Sequence, residues 1–328
     1  MKHIGLLTIL LTIACTFNTN AQTARLYTSA DGLANSHIHD IYQDSRGFIW
    51  IPTENGLSRF DGIKFFNFNF DRSKPNSIAS NTVRTILEDS NGRFWVGTSA
   101  GLQTFDTEYS TFTKVNLEDW SVPDSDQHIT SILELSHNGG KKILAASSGH
   151  GVYVLDAVTC RIDHDTQNAI NKCLPSKFIF TIFKDSRNRL WAATDAGGFN
   201  IIDLESLKGI PVNWDKGLGR ESRDIINTFV EDVHTGNILI GTTSYNILIW
   251  DADKDMVRRP HGPASGSNFS IMSIIPNNIL PRYGEHSYLI GLENQGIKMF
   301  DADNESISEV RFTNVPFNIS GWKVHKLM

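Results

Sequence analysis

Apolar residues recur along the chain in short runs separated by turn residues, and one arrangement returns every 45 to 50 residues. Each copy opens with two apolar residues three positions apart. An Asp-x-x-Gly turn, a second apolar run and a further Gly or Asn turn follow, as in residues 83–106. Short apolar runs bounded by such residues are typical of strands and turns. Asn188 stands where Gly47 and Gly92 stand, and we expect it to accept the same positive φ.

Six copies follow one another, and a Trp or Leu marks the second run of each: Trp50, Trp95, Leu144, Trp191, Leu239 and Leu289. A looser run, such as residues 64–68, adds a fourth strand to the unit. No helical periodicity is visible between the copies. Four antiparallel strands at this spacing predict an all-β fold, a β-propeller whose blades bury each other's faces. The Trp or Leu is then expected to fill the space between neighbouring blades.

The first 21 residues have the pattern of a secretory signal peptide. Lys2 precedes an apolar run over residues 4–17, and small residues lead to a cleavage site after Ala21. Lipidation at Cys15 is the alternative, although Leu11 lies four positions before this cysteine instead of the usual three. The sequence therefore predicts export to the periplasm and a propeller over residues 22–328.

Composition and charge argue against nucleic acid or an anionic membrane surface as the main partner. The chain has 328 residues, 40 % hydrophobic content and a net charge of -6, and no basic run that would suit nucleic acid or an anionic membrane surface. After the signal, no apolar stretch is long enough to span a bilayer. Cys160 and Cys173 are the two cysteines beyond the signal. They can form a disulfide in an oxidising compartment or remain two free thiols.

The unit I-x-x-I-x-x-D-x-x-G-x-x-W-x-G-T-x-x-G-L-x-x-F-D resembles the two-component regulator propeller repeat. Residues 83–106 match it nearly throughout, and residues 38–61 depart from it at Pro52. The leader LYTSADGLANSHIHDI, residues 26–41, is similar to the start of the sensor region in hybrid two-component systems of gut bacteria. The resemblance covers nearly the whole chain after the signal, most closely in the first, second and fourth repeats.

In that family, two seven-bladed propellers and an immunoglobulin-like domain form a periplasmic sensor. A membrane helix, a histidine kinase, a receiver and a DNA-binding domain follow, and the system responds to glycan breakdown products. The resemblance implies a non-catalytic periplasmic sensor of a glycan-responsive system. It also implies an oligosaccharide ligand and self-association as in a dimeric sensor.

The chain departs from the family pattern after its sixth blade, where residues 321–328 resemble the first strand of a seventh. We expect a sensor truncated in the seventh blade and unable to signal alone. Its ring is expected to be open, with residues 25–28 and 322–328 as the outermost and innermost strands of the incomplete blade. Apolar side chains such as Phe48 or Leu289 would then be uncovered.

The conspicuous acids and histidines are better explained by structure than by chemistry. Asp-x-Asp-x-Asp at residues 251–255 lacks the Gly and Glu of a calcium loop, and His37 and His39 have no third zinc ligand nearby. No nucleophile, phosphate or dinucleotide motif is present. The sequence therefore predicts no catalytic residue, metal or cofactor. Six acids at one repeat position are expected to form turns: Asp61, Asp106, Asp156, Asp203, Asp251 and Asp301.

A binding site is predicted on the face where the loops into each first strand meet the turns between second and third strands. Aromatic and guanidinium groups suit sugars through stacking and charge-assisted hydrogen bonds. The alternative is that these side chains only pack their own loops. Two other functions stay open: a polysaccharide hydrolase or lyase using Asp124, Asp126 or Glu221, and a protein-interaction scaffold. The candidate binding residues are Trp120, Trp214, Phe178, Arg72, Arg220 and Arg223.

Overall fold

The computed structural model describes residues 25–117, 127–218, 223–262, 269–310 and 322–328. Tyr27–Val310 and Ile319–Met328 form one compact unit. A second unit comprises Met1–Leu26 and Arg311–Asn318, of which only Arg25 and Leu26 are described. The predicted signal peptide lies outside the described residues.

The described residues of the larger unit form six antiparallel sheets, one per predicted blade, each with its strands in chain order. This arrangement confirms the predicted all-β propeller blades. None of the described helices is long and apolar enough to cross a membrane. Short 3-10 helices cover Ser29–Asp31 and Pro281–Tyr283.

The strands of the first three blades are β1 (Tyr42–Gln43), β2 (Ile49–Thr53), β3 (Gly56–Phe60) and β4 (Phe65–Phe68); β5 (Val83–Glu88), β6 (Phe94–Thr98), β7 (Gly101–Asp106) and β8 (Thr111–Lys114); and β9 (Ile129–His137), β10 (Gly140–Ser147) and β11 (Gly151–Asp156). Those of the last three are β12 (Ile179–Lys184), β13 (Arg189–Thr194), β14 (Phe199–Asp203) and β15 (Lys208–Ile210); β16 (Ile226–Glu231), β17 (Ile238–Thr242), β18 (Ile247–Asp251) and β19 (Met256–Arg258); and β20 (Ile271–Pro276), β21 (Ser287–Leu292), β22 (Ile297–Asp301) and β23 (Ser306–Glu309).

The third blade differs from the prediction because a helix, α1 (His164–Lys172), takes the place of its fourth strand. Asp163 caps the helix by accepting the amide hydrogen of Thr166. The side chain of Asn171 accepts from Val152 N and donates to Val152 O, so it satisfies the open edge of β11 as a strand would. Side-chain amides can therefore replace a ladder here, which the strand pattern could not show.

The Trp of the second strand and the Asp of the preceding turn form one repeated unit. Trp50 Nε1 donates to Asp44, and the same bond links Trp95 to Asp89 at 2.8 Å. Trp191 repeats it with Asp185. Each carboxylate also accepts backbone amides of its turn, as Asp44 does from residues 46 and 48. The turns have the predicted backbone, with a φ of 59° at Asn188 and 86° at Gly47.

Apolar side chains form a cluster between each pair of successive blades from the first to the sixth. Trp50 is fully buried between the first and second blades with Val83, and Trp95 lies between the second and third with Ile129. Leu144 joins the third blade to the fourth. These positions confirm that the second-strand Trp or Leu fills the space between blades.

One polar contact recurs at three of these junctions. Ser45 of the first blade donates its amide and hydroxyl hydrogens to the carboxylate of Glu88 in the second. The same pair of bonds links Ser90 to Glu134, and Ser186 to Glu231. We call this contact the serine–glutamate clamp. It connects the first turn of one blade to the first strand of the next.

Residues 322–328 lie between the sixth and first blades. Val324 N donates to Leu292 O at 2.8 Å, and Lys326 Nζ lies 3.1 Å from Asp40 of the first blade. No hydrophobic cluster among the described residues joins the sixth blade directly to the first. The segment therefore contacts both the sixth and the first blade, and a seventh blade stays a prediction.

Three details of the expected open ring are wrong, namely its two terminal strands and the uncovered Leu289. Neither residues 25–28 nor residues 322–328 form a strand. Thr28 instead caps the first 3-10 helix, while Tyr27 packs on Phe60 of the first blade. Leu289 is only 3 % exposed, so the flank of the sixth blade is covered there. Phe48 is half-buried, with the guanidinium of Arg59 4.8 Å from the centre of its ring.

Cys160 and Cys173 do not form the disulfide that the sequence allowed, because both are free thiols in the structure. Cys160 packs against the cluster between the second and third blades, beside Arg93. Cys173 packs against the cluster between the third and fourth blades. Burial raises the pKa of the Cys160 thiol, so its reactive thiolate is disfavoured.

Candidate functional site

The first strand of each blade from the second to the sixth contains a β-bulge directly after its first apolar residue. Val83 pairs with Thr98 and Thr85 pairs with Gly97, so Arg84 has no partner on the second strand. A bulge redirects the side chain that it leaves unpaired. The same register shift leaves a bulge residue in each of the next four blades: Thr130, Phe180, Asn227 and Met272.

The bulge residues of the second to sixth blades line a single cavity of about 500 Å³. The first blade adds His37, His39 and Asp40, and the C-terminal segment adds His325 and Lys326. Every blade thus contributes a residue of its first strand or of the segment before it. We call this space the axial cavity.

His39 lies between a carboxylate and a guanidinium. Its Nε2 lies 2.7 Å from Glu54 Oε2, and its Nδ1 lies 3.3 Å from Arg84 Nη1. Arginine can only donate, so Nδ1 accepts and Nε2 carries the hydrogen that Glu54 receives. This assigns a neutral imidazole. Burial lowers the pKa of His39, which agrees with that assignment.

The ring of His325 packs against that of His37 in a tilted arrangement, with 4.6 Å between the ring centres. Burial, followed by the neighbouring His37 and Lys323, lowers the pKa of His325 to about 4. The ring is therefore neutral at neutral pH. No three His, Cys, Asp or Glu side chains of the described residues are grouped so that they could hold a metal ion.

Among the described residues, one carboxylate lines the axial cavity, and it is already paired. Asp40 Oδ1 lies 3.1 Å from Lys326 Nζ, and its Oδ2 accepts a hydrogen bond from Thr85 Oγ1 at 3.1 Å. Phe180 adds an apolar surface that is 38 % exposed. The axial cavity therefore combines hydrogen-bond donors with one aromatic ring, an arrangement that suits a polar organic ligand.

One of the predicted binding residues lies beside this cavity, and a second contacts a turn next to the first. Phe178, half exposed, pairs with Ser148, which lines the cavity, and stands two residues before Phe180. Arg223 lies against the turn at Gly197 in the fourth blade, where an added Cβ would be 2.6 Å from Arg223 Cα. In the same turn, the amide of Asp195 donates to the carbonyl oxygen of Phe178, so the two residues flank one turn.

The structure does not bring the other predicted residues to this place. Trp214 pairs with Val257 of the outermost strand and packs on Phe199, which matches the alternative that it packs its own loop. Arg72 lines a separate groove of about 820 Å³ formed by its own loop and the start of β8. The remaining candidates lie outside the described residues: Trp120, Arg220, Asp124, Asp126 and Glu221.

The bulge residues were not predicted as a group, because an apolar pair three positions apart indicates only that a strand opens there. In the structure, one or both residues between that pair line the axial cavity. The signal was visible, since Arg84 and Thr85 stand between Val83 and Ile86 in the clearest copy. The same spacing places His325 and Lys326 between Val324 and Leu327.

The six repeated acids act as turn acceptors, as predicted. Asp61 accepts the amide hydrogens of Ile63 and Lys64, and Asp106 those of Glu108 and Tyr109. Equivalent bonds form at the other positions, which are Asp156, Asp203, Asp251 and Asp301.

Comparison with known proteins agrees with the repeat. A family model described as two component regulator propeller matches residues 32–55, 77–100 and 173–196. These are the first, second and fourth repeats, so the resemblance seen in the sequence is confirmed where it was closest. Over 69 residues, or 20 % of this chain and 5 % of the other, the chain is 35 % identical to Histidine kinase P4 of Formosa agariphila.

Solved structures extend the likeness to the fold. The extracellular domain of the hybrid two component system BT3049 from B. thetaiotaomicron superposes on 90 % of this chain with a TM-score of 0.70 and 23 % identity. That of BT4673 from the same organism covers 89 % with a TM-score of 0.68 and 18 % identity. This chain spans 38 % of each of the two structures.

Proposed function

Since the chain carries two component regulator propeller repeats, we propose that it is a non-catalytic sensor propeller, exported to the periplasm, that binds an oligosaccharide. The sensing role is supported by the two similar structures, which are extracellular domains of hybrid two component systems. The glycan ligand follows from the resemblance of the repeat and from the chemistry of the axial cavity.

The axial cavity is the observation that carries this proposal. Its volume of about 500 Å³ lies in the range of small-molecule pockets. Phe180 offers a face for a sugar ring, and hydroxyls such as those of Thr130 and Ser131 offer hydrogen bonds to its hydroxyl groups. Because several blades contribute one residue each, a bound sugar would contact several blades at once.

The pairing of the acids supports a binding role over catalysis. Glycoside hydrolysis commonly uses two carboxyl groups about 5 to 10 Å apart across the scissile bond. In the described lining of the axial cavity, Asp40 is the one carboxylate, and Lys326 and Thr85 engage it. The repeated acids at the ends of the third strands serve their turns.

Calorimetric titration of the purified protein with a set of oligosaccharides tests this function. We expect at least one sugar to bind without being cleaved, and Phe180→Ala to weaken that binding. Tyr109→Ala is the matched control, because Tyr109 is 70 % exposed in the turn after β7, away from the cavity lining. Cleavage of the sugar, or equal affinity of the Phe180→Ala variant, would refute the proposal.

A further inference from the structure

We infer that the ligand of the axial cavity carries a negatively charged group, a carboxylate or a sulfate ester, and that Arg84 binds this group. The inference rests on the proposed function and specifies its ligand. Arg84 is the bulge residue of the second blade, so its side chain leaves the sheet and enters the cavity lining.

Most N–H donors of the Arg84 guanidinium have no partner among the described residues. Among the described residues it hydrogen bonds to Nδ1 of His39 and forms no ion pair with a carboxylate. A guanidinium carries five N–H donors in a planar fork, which matches the two oxygens of a carboxylate or sulfate. One neutral acceptor therefore leaves most of this fork available to a ligand.

No other charged group in the described part of the cavity forms an ion pair with Arg84. Lys326 and Asp40 neutralise each other as an ion pair. Glu54 lies on the far side of His39, where it accepts from His39 Nε2 and from Thr82 Oγ1. The described lining thus has a net positive charge even when its histidines are neutral, and these are His37, His39, His128 and His325.

A polar cavity with one guanidinium that has no carboxylate partner favours an anion over a neutral sugar. Binding an anion there replaces the hydration of the guanidinium with a charge-assisted contact, which is stronger than a neutral hydrogen bond. Phe180 and Met272 would meanwhile contact the uncharged part of the ligand. An acidic sugar satisfies both kinds of surface, whereas a free inorganic anion satisfies only the first.

Titration with matched pairs of ligands tests the inference. The pairs are digalacturonate with galactobiose, glucuronate with glucose, and N-acetylglucosamine 6-sulfate with N-acetylglucosamine, with inorganic sulfate as a separate arm. We expect one acidic sugar to bind at least about tenfold more tightly than its neutral partner, and more tightly than sulfate alone. Arg84→Gln should remove that preference, and Arg84→Lys should restore part of it.

Arg72→Gln is the control, because Arg72 lines the separate groove of its own loop. Its affinity for the acidic sugar should equal that of the unmodified protein. The inference is overturned if acidic and neutral sugars bind with equal affinity. It is also overturned if Arg84→Gln leaves the affinity for the acidic sugar unchanged. Either result leaves sugar binding itself intact. The inference is overturned as well if inorganic sulfate binds and none of the acidic sugars does. Failure of every sugar in the wider oligosaccharide set overturns the proposed function as well.

Discussion

Tyr288 of the sixth blade donates a hydrogen bond of 2.9 Å to Asp232 of the fifth, so one blade satisfies the buried carboxylate of its neighbour. In the first, second and fourth blades the equivalent Asp receives this hydrogen from the Trp of its own blade. The fifth blade has Leu239 at that position, and Leu has no donor. The missing bond is therefore made across the blade junction.

Removal of this hydroxyl should destabilise the propeller. Asp232 is only 2 % exposed, and a hydrogen bond to a buried charged group contributes about 1.5 to 3 kcal/mol. We expect Tyr288→Phe to lower the free energy of unfolding by that amount in urea denaturation. Tyr109→Phe, at an exposed turn, should leave it unchanged, and equal stability of the two variants would contradict the account.

His286 makes the stability of the same junction depend on pH. Burial alone would lower its pKa, but hydrogen bonds to Asp303 and Asp232 outweigh burial and raise the pKa above 6.5. The stabilisation is therefore fully present below pH 6.5 and is lost as the pH rises through the folded-state pKa. We expect His286→Gln to lower Tm more at about pH 6 than at about pH 9. A pH-independent difference would argue against the junction as the cause.

His325 has the opposite dependence, on the acid side. Its lowered pKa means that its contribution is present above pH 6.5 and is lost as the pH falls from 6.5 to about 4. His325→Gln cannot titrate in this range, so we expect the Tm difference between this variant and the unmodified protein to shrink or reverse in acid. Thermal unfolding monitored across that range tests the expectation, and parallel curves would contradict it.

Gly97 marks a close approach between the second and third blades. A Cβ there would lie 2.7 Å from Ile129 Cγ2 and 2.8 Å from Thr85 Cγ2, closer than packed atoms allow. We expect Gly97→Ala to cost about 1 to 3 kcal/mol of folding free energy, as overpacked cores do. Gly140→Ala is the control, because its nearest neighbour would be 3.9 Å away. Chemical denaturation of both variants compares them directly.

The repeat made the blades predictable because its period is carried by residues that the fold needs in every copy. Trp95, for example, both fills a blade junction and satisfies Asp89, so both residue types recur at fixed spacing. The helix of the third blade was not predictable in the same way. Its Asn171 replaces strand hydrogen bonds with side-chain bonds, and nothing in the strand pattern records such a substitution.

The candidate site was only partly predictable, because large side chains in long loops, such as Arg72, lie elsewhere. Trp214 proved to pack on the outermost strand of the fifth blade. The axial residues vary in type from blade to blade, as Arg84, Phe180 and Met272 do, because the bulge fixes their direction but not their chemistry. A repeat is recognised from the positions that are alike in every copy. Positions where the copies differ are therefore not recognised as part of it.

The serine–glutamate clamp bears on how such a ring can grow. The second repeat contains both halves of the contact, since Glu88 receives the preceding blade and Ser90 engages the following one. A duplicated copy of this repeat would bring a complete donor and acceptor to each new junction, with no compensating change elsewhere. The fifth and sixth blades share no such interchangeable contact, because Asp232 depends on Tyr288 of one particular neighbour. Gene duplication would therefore be tolerated more readily near the start of the ring than at this later junction.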